Sequence, residues 1–247
     1  MRFRLLAALA VLSLLAACGG EPELPPPAGG DQPILLIDEH PGFSPPASRW
    51  ALPSFVLLGD GSAIIGDDDQ GIAFTGKRRA LTAGQVAELY RDADDAGLMR
   101  SRRHTEDVLD AGALVVRITT DKGTHETSVV APDFGDGGAR GRAIRFATEA
   151  LRAGEPGGAY VPEKVAAVVV GEDEDTTDVR PWPLPTPAAQ MPGYPGRPCL
   201  VLDGADAARL LRTALTATAR TRWSSGEKTL SLRVRPLLPY EKTCDDL

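Results

Sequence analysis

Apolar residues along this chain recur at two different periods. Over residues 82–97, Val86, Leu89, Tyr90, Ala93 and Ala96 fall on one helical face. Thr82 with Gln85 three residues on has the form of a capping box, and Gly97 stands where a C′ glycine ends a helix. A second helix is predicted over residues 139–151, where Ile144, Ala147 and Leu151 align. A third is predicted from Gly204 to about residue 219. There Ala207, Leu210, Leu211, Ala214, Leu215 and Thr218 keep the helical spacing.

Between these helices the period drops to two. Leu114, Val116 and Ile118 alternate with Val115, Arg117 and Thr119. This run and residues 124–131 flank Asp121-Lys122-Gly123, which predicts a hairpin with one buried face. Phe55 to Leu58 and Ala63 to Ile65 flank a Gly-rich turn in the same way. In a third hairpin, Leu230, Leu232 and Val234 alternate with Ser231, Arg233 and Arg235, so the arginine face is expected to be solvated. Residues 165–170 and 199–202 read as further strands.

Helices segregated against antiparallel hairpins predict an α+β fold rather than a parallel α/β one. The order helix then hairpin occurs twice, in residues 82–131 and 204–238. A degenerate duplication of a strand–helix–hairpin unit and a chance recurrence of a common arrangement both account for that. Residues 171–198 are irregular, with an acidic run at 172–175 and seven prolines after it, and form the best internal boundary. The expected organisation is a leader over 1–17, a Pro/Gly tether over 18–33, a first unit over 34–162 and a second over 163–247.

The first residues carry an address. Arg2 and Arg4 precede an uncharged apolar run from Leu5 to Leu15, and Leu15-Ala16-Ala17-Cys18 follows. A basic start, a short apolar run and a small-residue cut site make a secretory signal. The run is too short to persist as a spanning helix, which needs about 20 residues. Leu15 to Cys18 resembles the bacterial lipobox. That resemblance covers the leader alone and implies cleavage before Cys18 and lipidation of its thiol, with the folded part held on the extracytoplasmic side of a membrane. Several acyl chains on one residue hold firmly where a single chain does not. The Ala-, Arg-, Gly-, Asp- and Pro-rich, Lys-poor composition resembles that of actinobacterial lipoproteins of unknown function, a resemblance with no particular activity attached. Five prolines among residues 19–33 make the tether partly extended. It reaches roughly 45 Å where it is polyproline-like.

Processing changes the charge and the cysteine count. Residues 1–17 hold two arginines and no acid, so their loss takes the formal net charge from -7 to -9. An acidic chain argues against nucleic-acid binding and against electrostatic docking on anionic lipid. With Cys18 lipidated, Cys199 and Cys244 remain, and export places them in an oxidising compartment. A disulfide is expected; a metal pair or two free thiols are the alternatives.

Chemistry is sparse. His40, His104 and His125 are dispersed, and no G-x-S-x-G, S-x-x-K or H-E-x-x-H motif occurs. Asp67-Asp68-Asp69 and the 172–175 run lack the alternating layout of a calcium loop and read as solvated loops. No metal site and no cofactor are expected. Two features mark possible binding surfaces: Trp182 and Tyr194 in the Pro-rich stretch, and Arg100, Arg102 and Arg103 on a connector. Their bland readings are a loop wrapped on the domain and a charge run facing water. The leading expectation is a non-enzymatic binding module for a protein or cell-envelope partner. An enzyme inhibitor or envelope sensor, and a hydrolase with a dispersed site, are the alternatives.

Overall fold

The computed structural model describes residues 25–26, 29–43, 49–172 and 178–247, with the side chains of 68–70 outside that description. Cys18, the leader, the tether up to residue 24 and acidic residues 173–175 lie outside the described residues. Thirteen strands and three α-helices are described. The strands are β1 (Pro33–His40), β2 (Phe55–Leu58), β3 (Ser62–Gln70), β4 (Ala73–Ala80), β5 (Arg102–His104), β6 (Ala113–Thr120), β7 (Gly123–Val130), β8 (Glu155–Ala159), β9 (Lys164–Glu172), β10 (Val179–Pro181), β11 (Cys199–Asp203), β12 (Arg222–Ser225) and β13 (Lys228–Pro236). The helices are α1 (Ala83–Ala96), α2 (Gly138–Ala150) and α3 (Gly204–Leu215). The fold is α+β.

The sheet is continuous and runs β10-β12-β13-β4-β3-β2-β1-β6-β7-β5, with β9 between β13 and β11 and β8 on β4. Most pairings are antiparallel, as expected of hairpins. Three are parallel: β5 with β7, β10 with β12, and β13 with β4 at Val234 and Ala73. The order helix then hairpin recurs, but the docking differs. After α1 the first hairpin strand, β6, pairs with β1. After α3 the second, β13, pairs with β9.

Alternation along the strands builds a layer on each face. Leu35, Ile37, Phe55, Leu57, Val116 and Ile118 face Leu89, Ala93, Ile144 and Phe146 of α1 and α2. Tyr90 is buried on α1, and its hydroxyl donates to the carbonyls of Ile34, at 3.2 Å, and of Thr119. That contact ties the helix to β1 and β6. Thr82 caps α1 with a full capping box, and Gly97 ends it at φ 79, as the sequence predicts. In the second half, Val165 and Ala167 of β9 face α3, while Ala166 and Val168 face Trp50, Phe74 and Leu237. Burial on both faces explains why β9 reads as an unbroken apolar run.

Several expectations need correction. β1 lies in the middle of the sheet, and Pro33 is its first residue rather than the end of a tether. Asp67 belongs to β3 and pairs with Lys77 at 2.9 Å, so the Asp67–Asp69 run is strand and not loop. Arg102, Arg103 and His104 form edge strand β5 instead of an irregular connector. A strand not expected from the sequence, β8, follows α2. Helix α3 stops at Leu215, where Thr216 and Ala217 turn the chain. The arginine face of β13 is not solvated: Arg235 is 4% exposed, and Arg233 is half-buried over the Phe74 ring. The cover is the C-terminal segment, residues 237–247.

Candidate functional site

Cys199 and Cys244 form a disulfide with Cα atoms 6.1 Å apart. It fastens the C-terminal segment to β11, beside Val168, Val201 and Leu247. Trp182 packs against the α3 cluster, and its indole N–H donates to the Thr186 carbonyl at 2.8 Å. The Pro-rich stretch therefore wraps on the domain through its own side chains. Tyr194 is half-buried, with the Lys228 ammonium 5.4 Å from its ring. Arg100, Arg102 and Arg103 are exposed; the latter two lie on β5 along the free edge beside β7.

The histidines do not converge. His104 and His40 sit on β5 and β1, which are separated by β6 and β7, and His125 lies at the other end of β7, opposite Ile118. At about 4.8 Å per strand, His40 and His104 are roughly 14 Å apart. His40 contacts Asp38 at 3.2 Å. Burial raises the Asp38 carboxyl above its ordinary range, against the opposing pull of His40, Arg235 and Arg117. Asp38, Arg117, Arg235, Tyr240 and Glu241, with Ile34, Leu36 and Leu247, line a mixed polar and apolar hollow of about 730 Å³ beside the C-terminal segment. Its Thr119 and Thr124 hydroxyls bond each other at 3.2 Å, and Arg117 is engaged by Glu126 at 2.7 Å. Among the described residues no group of three or more His, Cys, Asp or Glu is placed to hold a metal. No described helix is long and apolar enough to cross a membrane.

A feature that the sequence reading did not single out lies at one end of the sheet. The end of β1, the start of β6 and the end of β7 are in register there, with His40 opposite Ala113 and Ala113 opposite Val130. The loops leaving these strands must therefore share one end. They carry Phe43, 90% exposed, Leu109, 93% exposed, and Phe134, 83% exposed, with Val108 at 51%. Phe134 also lines an open hollow of about 460 Å³, together with Pro41, Ala113, Leu114, Pro132 and Ile144 and, on its polar side, Glu39, His40 and Thr148. That size lies within the range of about 300–1,000 Å³ usual for ligand pockets.

The loops are braced. A Cβ on Gly42 would sit 1.6 Å from the Asp110 carbonyl oxygen, so only glycine lets the 41–43 segment lie against the 110–112 segment. Asp110 itself takes φ 53 and Ala131 φ 50, left-handed conformations that L side chains rarely adopt. Ala131 N–H donates to the Gly112 carbonyl at 2.7 Å. Arg140 on α2 joins the loops: it pairs with Asp136 at 2.7 Å and Glu106 at 3.2 Å, and donates to the Ala131 carbonyl. The signal available in the sequence was weak, since Phe43, Val108, Leu109 and Phe134 are far apart along the chain and stand outside any periodic run. The chain matches no protein-family model, no curated protein and no solved structure.

Proposed function

We propose that this chain is a non-enzymatic, membrane-anchored extracytoplasmic lipoprotein that acts as a protein-binding module. Its docking surface is the loop end carrying Phe43, Leu109 and Phe134. The exposure of these side chains on loops that leave one end of the sheet, with Phe134 lining a hollow there, is the observation that carries this reading. Large exposed apolar side chains gathered at one place and rimmed by polar residues are a mark of protein–protein interaction sites. Braced loops also lose little freedom on binding, which favours affinity.

The anchor fits the same geometry. The tether enters at Pro33, the first residue of β1, and the docking loops leave beyond His40, its last. At about 3.3 Å per residue the two ends of β1 stand roughly 23 Å apart. A chain held by lipid on Cys18 would thus present the docking end away from the bilayer. An inhibitor of an exported enzyme would use the same protruding apolar loops, and the identity of the captured partner separates that case from a scaffold or sensor.

The test is affinity capture from the native envelope, with wild type, Leu109→Ser and Phe134→Ser compared. A partner retained by wild type and lost from both variants supports the proposal; a partner retained equally by all three sinks it. For the anchor, Cys18→Ala should lose acyl mass and partition into the soluble fraction. A Cys18→Ala chain that stays in the membrane overturns the lipid model.

A further inference from the structure

We infer that the segment docking at this loop end is a basic one: a large apolar anchor side chain flanked by lysines or arginines. The inference rests on the docking surface proposed above and adds the chemistry of its occupant. The apolar loops are ringed by carboxylates. Glu39 lines the hollow, and Asp107, Asp110 and Asp133 are exposed on the same loops as Leu109 and Phe134. Glu106 and Asp136 add two more, balanced in part by Arg140, whose side chain is mostly buried between them. Arg103 on β5 is opposite Ser128, two residues short of the strand end, and so stands roughly 7 Å back from this collar.

An acidic collar around an apolar centre selects its occupant by repulsion as much as by attraction. A second copy of the chain would bring its own collar against this one, and like charges brought together across an interface oppose association. An anionic bilayer surface is repelled for the same reason. The collar favours a polypeptide whose apolar side chain fills the hollow while its cationic neighbours meet Asp107, Asp110 and Asp133. The collar then contributes specificity and association rate, and the apolar contact contributes affinity.

The test uses the full processed protein and short fluorescent peptides with one central Leu-Phe pair, flanked on both sides by lysine, glutamine or glutamate. At low salt the Lys-flanked peptide should bind at least about tenfold more tightly than the Glu-flanked one, and that gap should shrink at about 1 M salt, where the screening length is about 3 Å. The Asp107→Asn, Asp110→Asn, Asp133→Asn triple variant should lose most of the gap. Asparagine keeps the oxygen that Asp133 offers to the Gly135 N–H at 2.6 Å, so the loop retains its turn. The inference is overturned if the three peptides bind alike, if the triple variant keeps the full preference, or if the Lys-flanked peptide shows no binding at millimolar concentration. It is also overturned by a Leu109-dependent dimer in sedimentation, or by Leu109-dependent binding to vesicles containing phosphatidylglycerol. Peptides that bind alike yet all weaken in Leu109→Ser would leave the docking surface standing and remove only the basic occupant.

Discussion

Arg235 and Glu241 form a two-pronged ion pair closed to water. Their side chains are 5% and 3% exposed, with Nη1 to Oε2 at 2.5 Å and Nη2 to Oε1 at 2.9 Å. Glu241 also accepts from the Leu238 N–H at 2.7 Å, so the carboxylate closes the turn that brings the C-terminal segment back over the sheet. That turn divides two adjacent leucines. Leu237 joins Trp50, Phe74 and Cys199, whereas Leu238 joins Val56, Leu58 and Ile64. The segment thereby covers the second face of both halves of the sheet. Tyr160 reinforces it: its hydroxyl, pushed up to about 12 mainly by burial, stays protonated and donates to the Leu237 carbonyl at 2.6 Å.

Removing one partner of this pair leaves a buried charge without its counter-ion. Glu241→Ala is expected to cost about 3–5 kcal/mol of folding stability, read from chemical denaturation midpoints. The double replacement Arg235→Met with Glu241→Leu should cost much less, because it buries no charge at all. A double variant as damaged as the single one would show that geometry rather than charge is what the pair supplies.

Asp38 should weaken the fold at neutral pH. Its carboxyl is raised by burial in the folded state, so the folded protein holds that proton more tightly than the unfolded chain does. Stability is then favoured below the unfolded value near 3.8 and falls as pH rises through the folded one. The neighbours that face it, His40, Arg117 and Arg235, oppose the shift without cancelling it. Asp38→Asn is expected to raise the melting temperature at pH 7 and to leave it nearly unchanged at pH 3. A lower melting temperature for Asp38→Asn at pH 7 would refute this.

The disulfide holds the far end of the same segment. Cys199 and Cys244 are 45 residues apart in sequence, and in the chain-entropy model a loop of that size contributes roughly 4 kcal/mol. Cys244→Ser should therefore lower the guanidinium midpoint strongly, and reductant should do the same to wild type but not to the variant. Equal midpoints for oxidised and reduced wild type would contradict it.

Gly42 controls the docking end. Gly42→Ala meets the Asp110 carbonyl and must push the two loops apart, at about 1–3 kcal/mol for an overpacked contact. Limited proteolysis should then cut faster within residues 105–112, and partner capture should fall along with it. Unchanged cleavage would show that the loops accommodate the methyl group.

Local chemistry made the helices legible. Thr82, Gln85 and Gly97 specify the ends of α1 through contacts within a few residues, so no distant partner is needed to read them. The β6–β7 hairpin was legible for the same reason, since its register follows from its turn and its alternation. β1 was missed because its apolar run, Ile34 to Ile37, is short and directly follows the Pro/Gly stretch, and β5 because a three-residue edge strand carries arginines like any exposed connector.

By itself the sequence determined the ends of α1, the hairpins, the α+β class and which two cysteines remain to pair once Cys18 is set aside. Tertiary structure alone decided the rest. Arg235 alternates with Val234 as a solvated residue should, yet it is buried because residues 237–241 fold back over it, a contact that no local pattern encodes. Phe43, Leu109 and Phe134 are brought to one end of the sheet only because β1, β6 and β7 end in register. Periodicity reports which face of an element is apolar. What covers that face, and which distant loops meet at its end, depends on contacts between residues far apart along the chain.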